Sequence, residues 1–361
     1  MRAVIAGAGI VGLTTGLALR RAGLEVVICE RAPEIRAAGS SLGLWRNALA
    51  VFDALGAGVR DIGKPGEMYF HDPAGKLIDP PGFGPEDHHY LLVHRAKLND
   101  LLADAVGAGS IRLGAAVVRY DESETGVTAH LSDGSTVDGD LLIGADGAYS
   151  AVRAQLVPGS EALEHEGHHA WRAVTPATGV AVDRDLMALG THGARGGYAR
   201  TRDGGAYWLL SQFKSPELTG TVKQQALERA EHLNEGGWNP VLAELIAATP
   251  EEAILHNQIM YVPRLDRWVS SRVALAGDAA HAMSPHITAG ASLGIEDAAL
   301  LGELLGSTVD IPAALISYQA ERIPRYARVA ELADAVEFAA TPEEFAAHYA
   351  AFSHWMIEGK Q

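Results

Sequence analysis

Three clusters of glycine with acidic residues carry the side chains and spacing that could hold an anionic or electron-rich ligand. The first is Gly7-x-Gly9-x-x-Gly12 followed by Glu30, the second Asp146-Gly147 with Ser150 and Arg153, and the third Gly277-Asp278 with Gly290 and Ala291. Glycine lets the main chain turn tightly and approach a ligand, a carboxylate accepts from hydroxyls, and an arginine meets phosphate. Each cluster follows a short apolar run, at 3–6, 141–143 and 273–276, and leads into a helical pattern. A strand that passes through glycine into a helix presents backbone N–H groups and the positive end of a helix dipole. In open α/β sheets ligands bind beyond the carboxyl ends of the strands, which is where Asp278 falls.

The elements around the first cluster are the most specific. Residues 3–6 read as a buried strand, 13–22 as a helix stopped by Gly23, and 25–29 as a second strand ending at Glu30. The first glycine permits the turn, the second admits a pyrophosphate, the third lets helix pack on strand, and Glu30 stands where a ribose hydroxyl needs an acceptor. This order predicts a dinucleotide site, with a purely structural glycine turn as the alternative. Further along, 42–55 reads as helical after its first residues, 68–79 as strands around a turn at Pro73-Ala74-Gly75, 88–93 as a strand and 97–106 as an amphipathic helix. A β-meander is expected at 117–121, 126–131 and 136–139. From 167 to 262 the pattern is β-rich, with a hairpin around Asp203-Gly204-Gly205 and helices at 222–234 and 241–248. Helices at 290–305 and 313–338 follow.

Composition narrows the function. A formal net charge of -16 without any Lys/Arg-rich run excludes a nucleic-acid partner. The single cysteine, Cys29, excludes an internal disulfide framework and a multi-cysteine metal site, and it is compatible with a reducing compartment. No apolar stretch reaches the length of a membrane span, and the glycine-spaced N-terminal segment reads as structure, so a cytoplasmic protein is expected.

With the three clusters in this order, the sequence resembles the single-component FAD-dependent aromatic hydroxylases, the class A flavoprotein monooxygenases with the para-hydroxybenzoate hydroxylase fold. The resemblance rests on Gly7, Gly9, Gly12 and Glu30, on GADGAYSAVR at 144–153, and on Gly277, Asp278 and Pro285 through Asp297, supported by LGLWRNALAVFDALG and HRAKLNDLL. It is greatest to the branch of salicylate, 6-hydroxynicotinate and urate hydroxylases and tetracycline-modifying monooxygenases. It implies an α/β fold: a Rossmann-like FAD-binding domain (1–70, 94–166, 263–330), an interleaved β-rich substrate domain (71–93, 167–262) and a C-terminal helical segment (331–361). The cofactor residues it implies are Gly7, Gly9, Gly12, Glu30, Arg31, Arg95, Asp146, Gly147, Arg153, Gly277, Asp278, Gly290 and Ala291. The implied reaction is reduction of FAD by NAD(P)H, formation of a C4a-hydroperoxyflavin with O₂, and oxygen transfer to a small aromatic substrate, without a metal. Only one dinucleotide fingerprint is complete, so NAD(P)H is expected to bind transiently; a monomer or homodimer is expected. Gly43, and the run His286 to Ala289 beside the flavin, depart from the family pattern.

Pro285, His286 and Arg172 are the candidates for the chemistry, His286 as a base toward a phenol and Arg172 as a partner for a carboxylate or phenolate. Trp171, Tyr198, Arg200, Tyr207, Trp208 and Gln212 are candidates to line the substrate pocket, each with packing or surface exposure as its plain alternative. Alternation places Tyr207, Leu209 and Ser211 on one face and Trp208, Leu210 and Gln212 on the other, without saying which is inward. His281 is expected to make a structural hydrogen bond. A halogenase is disfavoured because no Trp-x-Trp-x-Ile-Pro segment occurs. A reductase or dehydrogenase on the same module, and a flavin-binding protein without oxygen transfer, are the alternatives.

Overall fold

The computed structural model describes residues 1–35, 40–78, 82, 84–176, 179–191, 193–285 and 288–358. Five parallel strands form one sheet in the order Val273–Leu275, Leu141–Gly144, Arg2–Ala6, Glu25–Cys29 and Ile111–Arg112. Its central side chains, Val4, Ile5, Leu142, Ile143 and Ala274 among them, are fully buried, as expected of a parallel sheet covered on both faces. Ala6 pairs with both Cys29 and Gly144, and Gly144 pairs with Leu275. The strands therefore end level, and the chain leaves them at Gly7, Glu30, Ala145 and Ala276 along one edge. Register thus collects the three glycine-and-acid clusters.

A second, seven-stranded sheet runs in the order Leu255–Tyr261, Leu163–Thr175, Ala206–Gln212, Ala194–Arg200, Leu186–Leu189, Tyr69–His71 and Leu77–Ile78. One face buries Trp171, Trp208 and Leu210 together with Ala226, Leu245 and Ile246 of the helices Val222–Glu231 and Val241–Ala248. The opposite face brings Ala199 and Tyr207 against Trp45, Tyr90 and Leu92. Tyr90 and Leu92 belong to a three-stranded sheet of Ser41–Leu44, His89–His94 and Lys64–Glu67. The expected meander is present as Val117–Glu122, Val127–Leu131 and Thr136–Gly139.

Two segments refine the sequence reading, which placed a helix within 42–55 after its first residues and another at 313–338. Residues 41–44 form a strand, paired with His89–His94, and the helix begins only at Arg46. The helix Ile311–Phe338 runs unbroken through residues 330 and 331, and a separate helix, Pro342–Glu358, then folds back onto it. Trp355 of that last helix lies under the Arg325 guanidinium at 4.1 Å, and Tyr349 meets Phe70 edge-on at 4.9 Å. Among the described residues no helix is long and apolar enough to cross a membrane.

Candidate active site

The edge where the parallel strands end is a groove shaped by main chain. Gly7 has φ +97°, and a methyl group there would lie 2.5 Å from the Ala145 carbonyl oxygen; one at Gly12 would lie 2.0 Å from the carbonyl oxygen of Gly7. Both positions are closed to any larger residue. Gly9, between them, has no atom within 4 Å of such a methyl group and caps the helix Ile10–Arg21 without a side chain, leaving the first-turn N–H groups facing open space. The Glu30 carboxylate accepts from Ala8 N at 2.7 Å and Ala32 N at 2.9 Å, fastening the glycine loop to the end of the second strand. Arg31 is exposed beside it.

At the second cluster, Asp146 accepts from Ala151 N at 2.8 Å and Val152 N at 3.3 Å, and burial raises its pKa against these bonds. Gly147, at φ +81°, has open space around it. Arg153 is buried and donates to the carbonyls of Ser160, Ala279 and Ala148 at 2.8, 3.1 and 2.6 Å. Its charge is therefore spent on backbone, Ala279 beside the third cluster included, where the sequence suggested a cation for phosphate.

In the third cluster Asp278 is exposed at the groove, with its carboxylate 3.6 Å from where a methyl group on Gly290 would sit. The turn that presents it is held from below. Asp297, fully buried, accepts from Gly277 N at 2.9 Å, His281 Nε2 at 2.7 Å and Arg322 Nε at 2.6 Å. Arg322 also donates to Glu296 at 3.0 Å, and Glu296 accepts from Arg325 and, at 2.9 Å, from Asn47. Burial opposes ionisation of Asp297, but Arg322 and then His281 overcome it and hold the carboxyl at about 2. The structural hydrogen bond expected of His281 is this one. Gly290 and Ala291 open the helix Ala289–Ser307, whose cap, Thr288, donates from its hydroxyl to the Gly43 carbonyl.

Beside this edge lies a cavity of about 160 Å³, walled by Gly43, Trp45, Tyr90, Arg172, Arg195, Tyr207, Pro285 and Tyr349 among others. Arg172 is half-buried and donates to Asn257 Oδ1 at 3.0 Å. Burial lowers its pKa and raises that of Tyr207, while Arg172 and Arg95 act on Tyr207 in the opposite direction. Arg95 itself is exposed at the start of the helix Arg95–Val106. Arg195 is 4% exposed, stacks over Phe213 at 5.0 Å and reaches the Pro285 carbonyl at 3.4 Å. Tyr90 donates to Asp185 at 2.8 Å, and burial followed by the Asp185 charge pushes its pKa well up, so the phenol stays neutral.

The cavity thus collects Arg172, Tyr207 and Pro285 from the sequence candidates, and borders Trp171 and Tyr198, whose hydroxyl donates to Asn239 at 2.9 Å. It does not collect the others. Trp208 is fully buried on the opposite face and donates to Thr249 Oγ1 at 3.0 Å; strand alternation puts Gln212 on that face too. Arg200 is exposed and its guanidinium is bonded to the Val182 carbonyl. His286 lies outside the described residues. Sequence reasoning missed Arg195, Tyr90 and Tyr349; the one available signal was an arginine set among small residues, Ala194-Arg195-Gly196-Gly197.

Known proteins extend this picture. Residues 1–333 match the family described as FAD binding domain. The chain is similar to the aurachin C monooxygenase/isomerase of Stigmatella aurantiaca, 33% identical over 339 residues that span 89% of this chain and 85% of that protein. It is 31% identical to an FAD-dependent urate hydroxylase of Klebsiella pneumoniae, across 90% of this chain and 86% of that one. The crystal structure of Klebsiella pneumoniae HpxO complexed with FAD and uric acid superposes with a TM-score of 0.83 and 27% identity, covering 99% of this chain and 95% of that one. With its fingerprint, its groove and its cavity in this arrangement, the chain belongs to the FAD-dependent aromatic monooxygenases, in the class A hydroxylase branch.

Proposed function

We propose that the protein hydroxylates a small, anionic aromatic or heteroaromatic ring, using NAD(P)H and O₂. The observation that carries this reading is the placement of two guanidinium groups, Arg172 and Arg195, with the phenols of Tyr207 and Tyr90, in the wall of a cavity beside Pro285. A cavity of comparable size, about 150 Å³, accepts a benzene ring, so one ring with polar substituents fits this one. A buried cation in an otherwise apolar wall favours a carboxylate, phenolate or enolate on that ring.

The groove fits FAD on its own geometry: open space at Gly9 over a helix N-terminus, the Glu30 carboxylate at the end of the second strand, and exposed Asp278 beside Gly290. Gly7, Gly9 and Gly12 would hold the pyrophosphate, Glu30 the adenosine ribose, and Asp278 the ribityl hydroxyls. Bound FAD supplies the electron transfer and dioxygen activation that no side chain here can. The protein's own part is orientation and exclusion of water. Arg172 and Arg195 fix an anionic substituent, Tyr207 donates to it as a neutral phenol, Tyr90 lines the wall with its proton committed to Asp185, and Trp45, Leu92 and Tyr349 keep the cavity dry.

The test is a panel of hydroxybenzoates, hydroxypyridines and purine-like heterocycles, scored for NAD(P)H oxidation, O₂ uptake and a product heavier by one oxygen. Stimulated oxidation that yields only hydrogen peroxide marks an effector, and a panel without any stimulation overturns the reading.

A further inference from the structure

Away from the cavity, His165 and His168 on the strand Leu163–Thr175 meet Glu337 on the last turn of the helix Ile311–Phe338. Residues three apart on a regular strand point to opposite faces. Here the pairing with Leu255–Tyr261 shifts register between Glu164 and His169, and Gly167 within the shift has φ +67°. Bulges of this kind re-aim side chains, and the two imidazoles come together edge-on with ring centroids 5.1 Å apart. One ligand atom from each of His165, His168 and Glu337 lies within 4.8 Å of the others, and His165 Nε2 is 2.8 Å from Glu337 Oε2.

Two imidazoles and a carboxylate are a ligand set for borderline divalent metals, with zinc the usual occupant. Tetrahedral bonds of about 2.0–2.1 Å place ligand atoms about 3.4 Å apart, so the widest gap has to close by at most about 1.4 Å, within the reach of side-chain rotation. His168 is already oriented: its ring is fully buried, lies 4.2 Å from that of Phe213, and has Nε2 2.7 Å from Ser211 Oγ. Ligation through Nδ1 leaves that hydrogen bond in place, the arrangement by which outer contacts fix metal-bound imidazoles. A cavity of about 800 Å³ borders His165 and Glu337 and gives a metal an entry path and room for water as a further ligand. Glu164, Glu166 and Asp334 line it as well; of its basic groups, Arg264 is paired with Asp334 at 3.0 Å and Lys214 lies over the Phe338 ring.

We propose that His165, His168 and Glu337 bind a divalent transition cation of the zinc class, clamping the end of the helix Ile311–Phe338 to the strand Leu163–Thr175. Binding displaces the proton that His165 shares with Glu337. The clamp sits one hydrogen bond from the substrate cavity, through Ser211, and just ahead of the last helix, which brings Tyr349 to that cavity. The simple alternative is a proton-linked histidine–glutamate tether that takes no metal.

Untagged, FAD-loaded protein titrated with Zn²⁺ in a calorimeter and with Co²⁺ by absorption distinguishes the two. The expected result is saturation at one equivalent, with tetrahedral Co²⁺ bands to the red of the flavin, and no heat from Mg²⁺ or Ca²⁺. Affinity should fall at least roughly tenfold in both His165→Ala and Glu337→Gln, the loss typical of a missing ligand-shell group, with FAD content as the folding check. Wild-type protein that shows no saturable binding, or binding undiminished in both variants, overturns the proposal.

Discussion

Replacing Asp297 with asparagine changes one charge at the centre of the buried network beneath Asp278. The native carboxylate receives three donors, from Gly277, His281 and Arg322, at 2.6 to 2.9 Å. An amide offers one acceptor oxygen and brings two donors of its own, so at least one native donor loses its partner and Arg322 keeps only Glu296 as a counter-ion. Breaking a buried pair from one side costs about 3–5 kcal/mol. The same contacts hold the carboxyl at about 2, against an ordinary value of about 3.9, which represents about 2–3 kcal/mol of stability at neutral pH. With an unfolding entropy of about 2 cal/mol/K per residue, a loss of about 3–5 kcal/mol in a chain of 361 residues lowers Tm by about 4–7 °C. Far-UV circular dichroism melts of wild type and Asp297→Asn at neutral pH measure this. The sign with pH follows from the depressed pKa: the stabilisation is fully present above about pH 4 and is lost as pH falls through about 2, so the two proteins converge in that window. A variant that melts within about 1 °C of wild type at neutral pH, or a gap that does not narrow on acidification, refutes the reasoning.

The Arg195→Met variant keeps length and apolar bulk but loses the charge; a charged hydrogen bond contributes about 1.5–3 kcal/mol, so substrate KM should rise roughly 10- to 100-fold with FAD content unchanged, and an unaltered KM returns Arg195 to a packing role. In Gly9→Ala the added methyl meets no atom within 4 Å, whereas in Gly12→Ala it meets the Gly7 carbonyl oxygen at 2.0 Å. The first should keep its Tm and lose FAD affinity, the second should lose Tm itself, and equal Tm losses would contradict the geometry. Asp278→Ala, which removes the acceptor proposed for the ribityl hydroxyls, should purify with little flavin, and a fully yellow variant would argue against that placement.

The groove proposed for the flavin was legible because its determinants are local. Gly7, Gly9 and Gly12 act through a turn, a helix start and a helix–strand contact that lie within a few residues, and parallel pairing then brings the other clusters level with them. The substrate cavity was less legible because its wall is assembled across the chain: Tyr90 meets Asp185, Arg195 meets Pro285, and Tyr349 meets Phe70. Residues 206–212 show why alternation could not choose a face. Trp208 and Leu210 are buried against helices while Tyr207 is buried against the cavity, so both faces exclude water and the period of two carries no direction. Arg153 misled for another reason, since an arginine that serves three carbonyls has the same sequence signature as one that serves a phosphate.

The seat of Tyr349 on the helix Pro342–Glu358 also separates the groove from the cavity along the chain. Every strand of the parallel sheet has been made once Leu275 leaves the ribosome, and Gly290, Ala291 and then Arg322 and Arg325, which support the Asp278 turn, follow ahead of the final helix. The small cavity gains its last wall only when the final helix docks against Phe70 and Arg325. The residues that border the groove therefore all precede in the chain the helix that completes the small cavity, so undocking that helix would open the cavity and leave every strand of the parallel sheet in place.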